Sequence, residues 1–388
     1  MAAQRRTPLK EKDLKGLKYF HLLGSLLDGL HDHATQRDRA GNRRLFYDQY
    51  ACLLLLYFFN PVVKSLRGIQ QASALDKVQR LFGCGRVSRG SLSEASRVFD
   101  PDLLHALIGD LAAQTLPLVR GKEAEALRGL TAVDGSLLPA LPKMAWALWQ
   151  DPQHRAAKMH VHFDVLKGIP TETTLTTGNG SETEQLRATL QAHRLYVVDR
   201  GYAEYQLFQD IVDAKSNFIG RLRDNAVWTV VEERPLTADA LAAGVRSDRL
   251  VWLGGPQSGR VFKQQVQVVE VATGKTDAHG RPEILLLATR CLDLAAELVA
   301  LGYRFRWAVE LFFRWLKCIL GCRHLLANSQ DGVRMQIYLA IIASLLISLW
   351  AGRKPTVRTL EMMQFYFQGW ASEEELMAHL EHLKPLSK

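Results

Sequence analysis

Two short apolar runs, each ending in an aspartate close to a glycine, do most to limit the folds open to this 388-residue chain. Leu130-Thr131-Ala132-Val133 leads into Asp134-Gly135-Ser136, and Leu195-Tyr196-Val197-Val198 leads into Asp199-Arg200-Gly201-Tyr202. Each run has the length and the β-branched or aromatic content of a buried strand, and each stops at a glycine. An aspartate at the carboxyl end of such a strand is where α/β folds gather ligands and chemistry. Taken alone, either aspartate reads as a turn former capping a strand. Two of them, followed by an acidic residue on a helix, form a rarer arrangement.

That third acid is Glu310, within the spaced series Tyr303, Arg306, Glu310, Lys317. At about 100° per residue, one helix would carry all four within roughly 60° of Tyr303. A carboxylate flanked by cations suits a site that holds a metal ion and grips phosphates on either side. The bland alternative is a solvated face with an Arg306–Glu310 pair at i, i+4. Trp307 projects about 100° away from Arg306 and is expected in the core.

Asp134, Asp199 and Glu310, with the Tyr-Arg-Glu-Lys spacing, resemble the bacterial DDE transposases of the insertion sequence 4 family. Neighbouring words share the likeness: Ala288-Thr289-Arg290-Cys291-Leu292-Asp293, Arg306 through Phe313, and Lys158-Met159-His160-Val161-His162-Phe163-Asp164. The resemblance runs from about residue 130 to 350. It implies an α/β fold with an RNase H-like catalytic core (126–216 and 291–350) interrupted by an inserted β-rich domain (217–290). A helical, basic, DNA-binding N-terminal domain (1–125) precedes it, and a helical C-terminal tail (351–388) follows.

Composition agrees with a polyanionic partner. Net charge is +9 with pI near 9.3, and residues 1–128 hold 20 Lys/Arg against 13 Asp/Glu. Five cysteines are odd in number and form no disulfide framework, which fits a reduced cytosol. Cys318 and Cys322, with His324 nearby, read as buried thiols with zinc as the alternative. The first residues have no apolar stretch behind them and are no signal peptide. Residues 337–351 are almost wholly apolar but shorter than the about 20 needed to cross a bilayer. They are expected as a buried core helix, with no membrane partner.

Along the first 125 residues, Leu22–Leu30 and Tyr47–Phe59 are apolar helix candidates, the second stopped by Asn60-Pro61. Ser91 with Glu94 suggests a capping box, and the short helices around Gly83-Cys84-Gly85 resemble a helix-turn-helix arrangement. From 217 to 290 short β candidates alternate with glycine-bearing turns, in agreement with the inserted domain. Ser372 with Glu375 should cap a final amphipathic helix.

The chemistry implied is phosphodiester cleavage and strand joining. Two divalent ions, Mg²⁺ or Mn²⁺, would be held by Asp134, Asp199 and Glu310. The family resemblance gives Arg306 and Lys317 to phosphates of the element ends, with Tyr303 stacking or hydrogen-bonding nearby, and Arg200 is a further phosphate contact beside Asp199. A hairpin intermediate is implied by the resemblance alone. Substrates are double-stranded element ends and target DNA, bound by a homodimer in the bacterial cytoplasm at the nucleoid. His160, His162 and Asp164 share one strand face, and His-x-His is a metal spacing, so a zinc hydrolase is a second enzyme reading. Core packing or DNA contact are the other roles for these histidines. Two rivals remain: a metal-dependent nuclease on the same fold, and a domesticated DNA-binding protein that has lost catalysis.

Overall fold

The computed structural model describes residues 27, 29–31, 43–118, 120–140, 143–151, 153–255, 262–276, 280, 282–319, 325–351 and 356–383. The Leu22–Leu30 helix candidate falls mostly outside them, as do Cys322 and His324 and the side chain of Cys318. The chain divides into two compact units, each drawn from separate stretches of sequence.

The unit formed by 116–136 and 158–312 is built on a nine-stranded sheet whose strands lie in the order β3 (Ile169–Thr177), β2 (Arg155–Asp164), β1 (Leu130–Ala140), β4 (Leu195–Val198), β5 (Asn217–Arg221), β9 (Pro282–Thr289), β8 (Gln265–Thr276), β7 (Val245–Leu253), β6 (Trp228–Arg234). Its centre is β1 (Leu130–Ala140), β4 (Leu195–Val198) and β5 (Asn217–Arg221). β4 is parallel to both neighbours, with Ala132 opposite Val197 and Val197 opposite Ile219. All four residues of β4 are buried because both faces of the strand are covered. Tyr196 and Val198 face Phe208 of helix α8 (Tyr205–Asp213) in one cluster. Leu195 and Val197 face Val299 and Ala300 of α10 (Ala296–Arg304) in the other. Alternation along the strand sends successive side chains into opposite layers.

The sheet corrects the expected insertion. Residues 217–221 pair in parallel with β4 and so belong to the centre. The remaining strands, β6 (Trp228–Arg234), β7 (Val245–Leu253), β8 (Gln265–Thr276) and β9 (Pro282–Thr289), form an antiparallel meander. That meander continues the same sheet, because β9 pairs antiparallel with β5 at Ile219–Thr289 and covers what would be an open edge. Two glycines permit close packing on β5. A Cβ on Gly220 would lie 2.8 Å from Phe208, and one on Gly302 of α10 would lie 2.7 Å from Ile219.

The other unit combines residues 1–115, 137–157 and 313–388, so the N- and C-terminal helical regions share one core. Its described helices include α1 (Tyr47–Phe59), α4 (Arg89–Val98), α5 (Pro101–Gln114) and α12 (Gln330–Ala351). α12 packs on α5, α1 and α4. It is longer than the apolar stretch suggested, and long and apolar enough to cross a membrane, yet 83% of its apolar window is buried inside the protein. The Trp315 indole N–H donates to Ser344 of this helix at 2.9 Å. The N-cap of α4 is Ser88, which accepts from the Ser91 amide, so the expected Ser91–Glu94 box does not open that helix. The Ser372–Glu375 box does form: Ser372 Oγ accepts from the Glu375 amide, and Glu375 accepts from the Ser372 amide.

Candidate active site

Asp134 lies on β1 two residues beyond the last pair with β4, and the strand runs on past it to Ala140. Asp199 directly follows β4 and caps a turn of 3₁₀ helix, accepting from the Gly201 amide at 2.7 Å. The Tyr303–Lys317 series does not occupy one helix. α10 ends at Arg304, Phe305 and Arg306 form a turn, and α11 (Trp307–Ile319) starts afresh. The Arg306 amide donates to Tyr303 and the Ala308 amide to Phe305, which are tight-turn bonds. Tyr303 therefore sits at the end of one helix, Arg306 at the junction and Glu310 in the first turn of the next. Lys317 is in the last turn of α11. Trp307 is 52% exposed, against the core position expected for it.

The Arg306 guanidinium donates to Glu310 at 2.8 Å and lies 4.0 Å from a carboxylate oxygen of Asp134. It also lies over the Tyr303 ring, 6.0 Å from its centroid. Burial works against its charge, but Tyr303, Glu310 and Asp134 outweigh it and strengthen the guanidinium as a base. Burial pushes the Asp134 carboxyl up to about 6; the Gly135 amide and Arg306 oppose that rise, while Glu182 and Asp199 add to it. Asp134 thus lies within electrostatic reach of both Glu182 and Asp199, and one arginine joins it to Glu310. Among the described residues no three His, Cys, Asp or Glu side chains form a ready-made metal cage, since Arg306 lies between two members of the trio.

Asp199 opens onto a cavity of about 710 Å³ lined also by Arg200, Arg221, Arg223, Tyr303 and Arg306. Arg200 pairs with Asp224 at 3.0 Å on the exposed side. Burial raises the Tyr303 hydroxyl, with Arg306 and Arg221 opposing and Asp199 assisting. Arg221 and Arg223 escaped the sequence reading; their signal is the Arg-x-Arg at the end of β5, where alternate residues share one face. In the helical unit, Lys64, Arg67 and Arg89 line a second cleft with Ser93.

Glu182 was missed altogether. It opens the short helix α7 (Glu182–Ala188) behind its cap, Ser181, and reaches back to Gly135, where a Cβ would lie 2.9 Å from its carboxylate oxygen. Lys158 holds the same carboxylate at 3.2 Å. The histidines of β2 (Arg155–Asp164) have separate partners. His160 meets Thr176 at 2.8 Å and His162 meets Thr189 at 3.1 Å, while Asp164 faces Arg194 at 3.7 Å. Burial lowers both imidazoles to about 4, so they are neutral near pH 7. Both rings are buried with hydroxyl partners, and among the described residues they join no group of three or more potential metal ligands.

Comparison with known proteins bears on this geometry. The family profile described as the transposase DDE domain matches residues 125–346, more than half the chain. A transposase of Sinorhizobium fredii is 28% identical over 63% of this chain and 65% of its own, so the chain spans just under two thirds of that relative. The transposase of an insertion sequence element from Geobacillus stearothermophilus is 25% identical over 69% of this chain and 68% of its own. A third, from an insertion sequence element of Synechocystis, is 20% identical over 76% and 80%. A solved piggyBac transposase synaptic complex with hairpin DNA covers 97% of this chain and 86% of its own at 12% identity, with a TM-score of 0.44, too loose a likeness to build on.

Proposed function

The chain belongs to the family defined by the transposase DDE domain, and from that membership we propose that it cuts the ends of a mobile element and joins the freed 3′-hydroxyls to target DNA. The observation that carries this reading is Arg306: one guanidinium contacts carboxylates from β1 and α11 beside the Asp199 cavity.

Asp134, Asp199 and Glu310 would hold the divalent ions, Mg²⁺ or Mn²⁺ and two in number. The donor set fits: all-oxygen ligands suit hard cations, and the burial that raises Asp134, with Glu182 and Asp199 adding to it, is a penalty that a bound cation would relieve. When bound, such ions supply the positive charge that activates an attacking oxygen and stabilises a departing one. The chain's own side chains do the rest. Arg306 neutralises Asp134 and Glu310 before substrate arrives, and its guanidinium fork suits a phosphate once those carboxylates are otherwise occupied. Arg200, Tyr303 and the Arg221–Arg223 pair line the path for the DNA backbone next to Asp199. Lys317 grips phosphate further along α11. Lys64, Arg67 and Arg89 give the helical unit its own sequence-independent hold on DNA. Joining both ends of one element requires them to be paired, so the working form is a DNA-bound homodimer at the bacterial nucleoid.

The test is incubation of the full chain with its flanking DNA ends and Mg²⁺. Nicks that free the 3′ strand, and joining of a pre-cut end to target, are expected. Cutting without joining would make the protein a nuclease. End binding with no Mg²⁺-dependent cleavage would make it a DNA-binding protein alone.

A further inference from the structure

The trio leaves a fourth carboxylate unaccounted for. Glu182 comes from α7, the element just before β4, yet its carboxylate packs against the backbone of Gly135 beside Asp134 on β1. Gly135 leaves room for it, since a Cβ there would lie 2.9 Å from Glu182 Oε1. A second contact holds the same carboxylate. Lys158 is 3.2 Å away and also donates to the Gly180 carbonyl at 3.0 Å, so the lysine is itself anchored to the loop that starts α7. An acid that a lysine holds in place while it stays 34% exposed is positioned for something.

Tyr202 supplies an independent pointer. Its side chain is 1% exposed, and its hydroxyl makes no hydrogen bond of full geometry among the described residues, although the Glu182 carboxylate lies near enough to attract it. That hydroxyl lies close enough to Glu182, Asp134 and Asp199 to feel all three. A buried hydroxyl whose hydrogen bond is incompletely formed is costly, and one within electrostatic reach of three carboxylates marks a polar space that a hydrated ligand would satisfy.

We infer that Glu182, tethered by Lys158, is a positioning carboxylate that raises the affinity of the Asp134 site for a divalent cation. It does so with Tyr202 by engaging the waters such a cation keeps, and it touches none of the reacting atoms. Mg²⁺ and Mn²⁺ retain several waters when protein carboxylates bind them, and groups that engage these outer positions commonly control affinity by about 10–100-fold. The inference rests on the proposed role of Asp134 as an ion ligand.

The test is Mn²⁺ titration of the full-length protein without DNA, reading free Mn²⁺ by electron paramagnetic resonance. Glu182→Gln should weaken Mn²⁺ binding about tenfold. Glu182→Asp, which keeps the charge but withdraws it by one methylene, should recover part of that loss. Asp134→Asn should remove the tight site. Unfolding midpoints of both Glu182 variants without metal should stay at the wild-type value, which separates positioning from a purely structural part. Mn²⁺ affinity within twofold of wild type in Glu182→Gln, with tight binding lost in Asp134→Asn, overturns the inference and leaves the active-site reading standing. Unchanged binding in Asp134→Asn overturns both.

Discussion

The two halves of the nine-stranded sheet are built on opposite terms. In the parallel centre, β4 is four residues long and buried at every position, with helices on both faces. At the far edge, β6 exposes most of its length, including Val230 at 45% and Val231 at 48%. Glu232, Glu233 and Arg234 follow those valines, charges of the kind that keep an edge strand from pairing with a second molecule. The carboxylates gather at the centre, where short buried strands end and backbone turns can hold side chains firmly. The meander contributes extent and no member of the trio. The proposed site lies where the sheet is least tolerant of change.

That contrast can be broken by paired substitutions. Val197→Asp would bury a charge between two apolar layers and should cost more than about 4 kcal/mol, enough to prevent folding of this unit. Val230→Asp, the matching change at the edge, should stay within about 0.5 kcal/mol. Circular dichroism with urea melts reads both, and equal losses would erase the distinction between centre and edge.

Gly220→Ala sharpens the same point with a single methyl group. Its Cβ would meet the Phe208 ring at 2.8 Å, and that ring is stacked on Phe218 at 4.3 Å with little room to retreat. A loss of about 1–3 kcal/mol is expected from overpacking. The same melts measure it, and an unchanged midpoint would mean that α8 shifts freely on β5.

Asp134→Asn should act in the other direction. The Asp134 carboxyl is raised from 3.8 to about 6 by burial. The folded state therefore holds its proton more tightly than the unfolded chain. The associated stability is complete below about pH 4 and is lost as pH rises through 6. Asparagine removes that loss, so at pH 7 without divalent ions the variant should be more stable by on the order of 1–3 kcal/mol. The gain should vanish at pH 4. Denaturant midpoints at the two pH values check it, and a gain independent of pH would exclude the carboxylate as its cause.

Last in size, Arg200→Ala should leave stability within about 0.5 kcal/mol, because its pair with Asp224 is exposed on both sides. It should lower the salt slope of DNA binding by about one. Binding isotherms between low and moderate salt test this, and an unchanged slope would remove Arg200 from the phosphate path.

Sequence made the centre legible because its signals are local. Leu195–Val198 is apolar at four consecutive positions, which only a strand covered on both faces requires, and Asp199 follows at once. The junction inside the Tyr303–Lys317 series was hidden. No proline or glycine lies between Tyr303 and Lys317, and the break at Phe305–Arg306 depends on how α10 and α11 pack. Spacing alone suggested one continuous face. The placement of Asn217–Arg221 was hidden for another reason: β character can be read from five residues, but which neighbour a strand pairs with is a non-local fact. Ser88 and Ser91 compete for the cap of α4 with similar local chemistry, and the backbone settles on the earlier one. Glu182 was invisible because its closeness to Gly135 depends on where α7 docks, and its own neighbours, Ser181 and Thr183, read as an ordinary helix start.

Most directly at stake is whether Asp134, Asp199 and Glu310 act together. The deciding measurement is 3′-strand nicking of element-end DNA in Mg²⁺ by three single variants: Asp134→Asn, Asp199→Asn and Glu310→Gln. Each should lose nicking by at least about a thousandfold while binding the end DNA as the wild type does. Wild-type nicking by any one of them would take that residue out of the site and contradict the account.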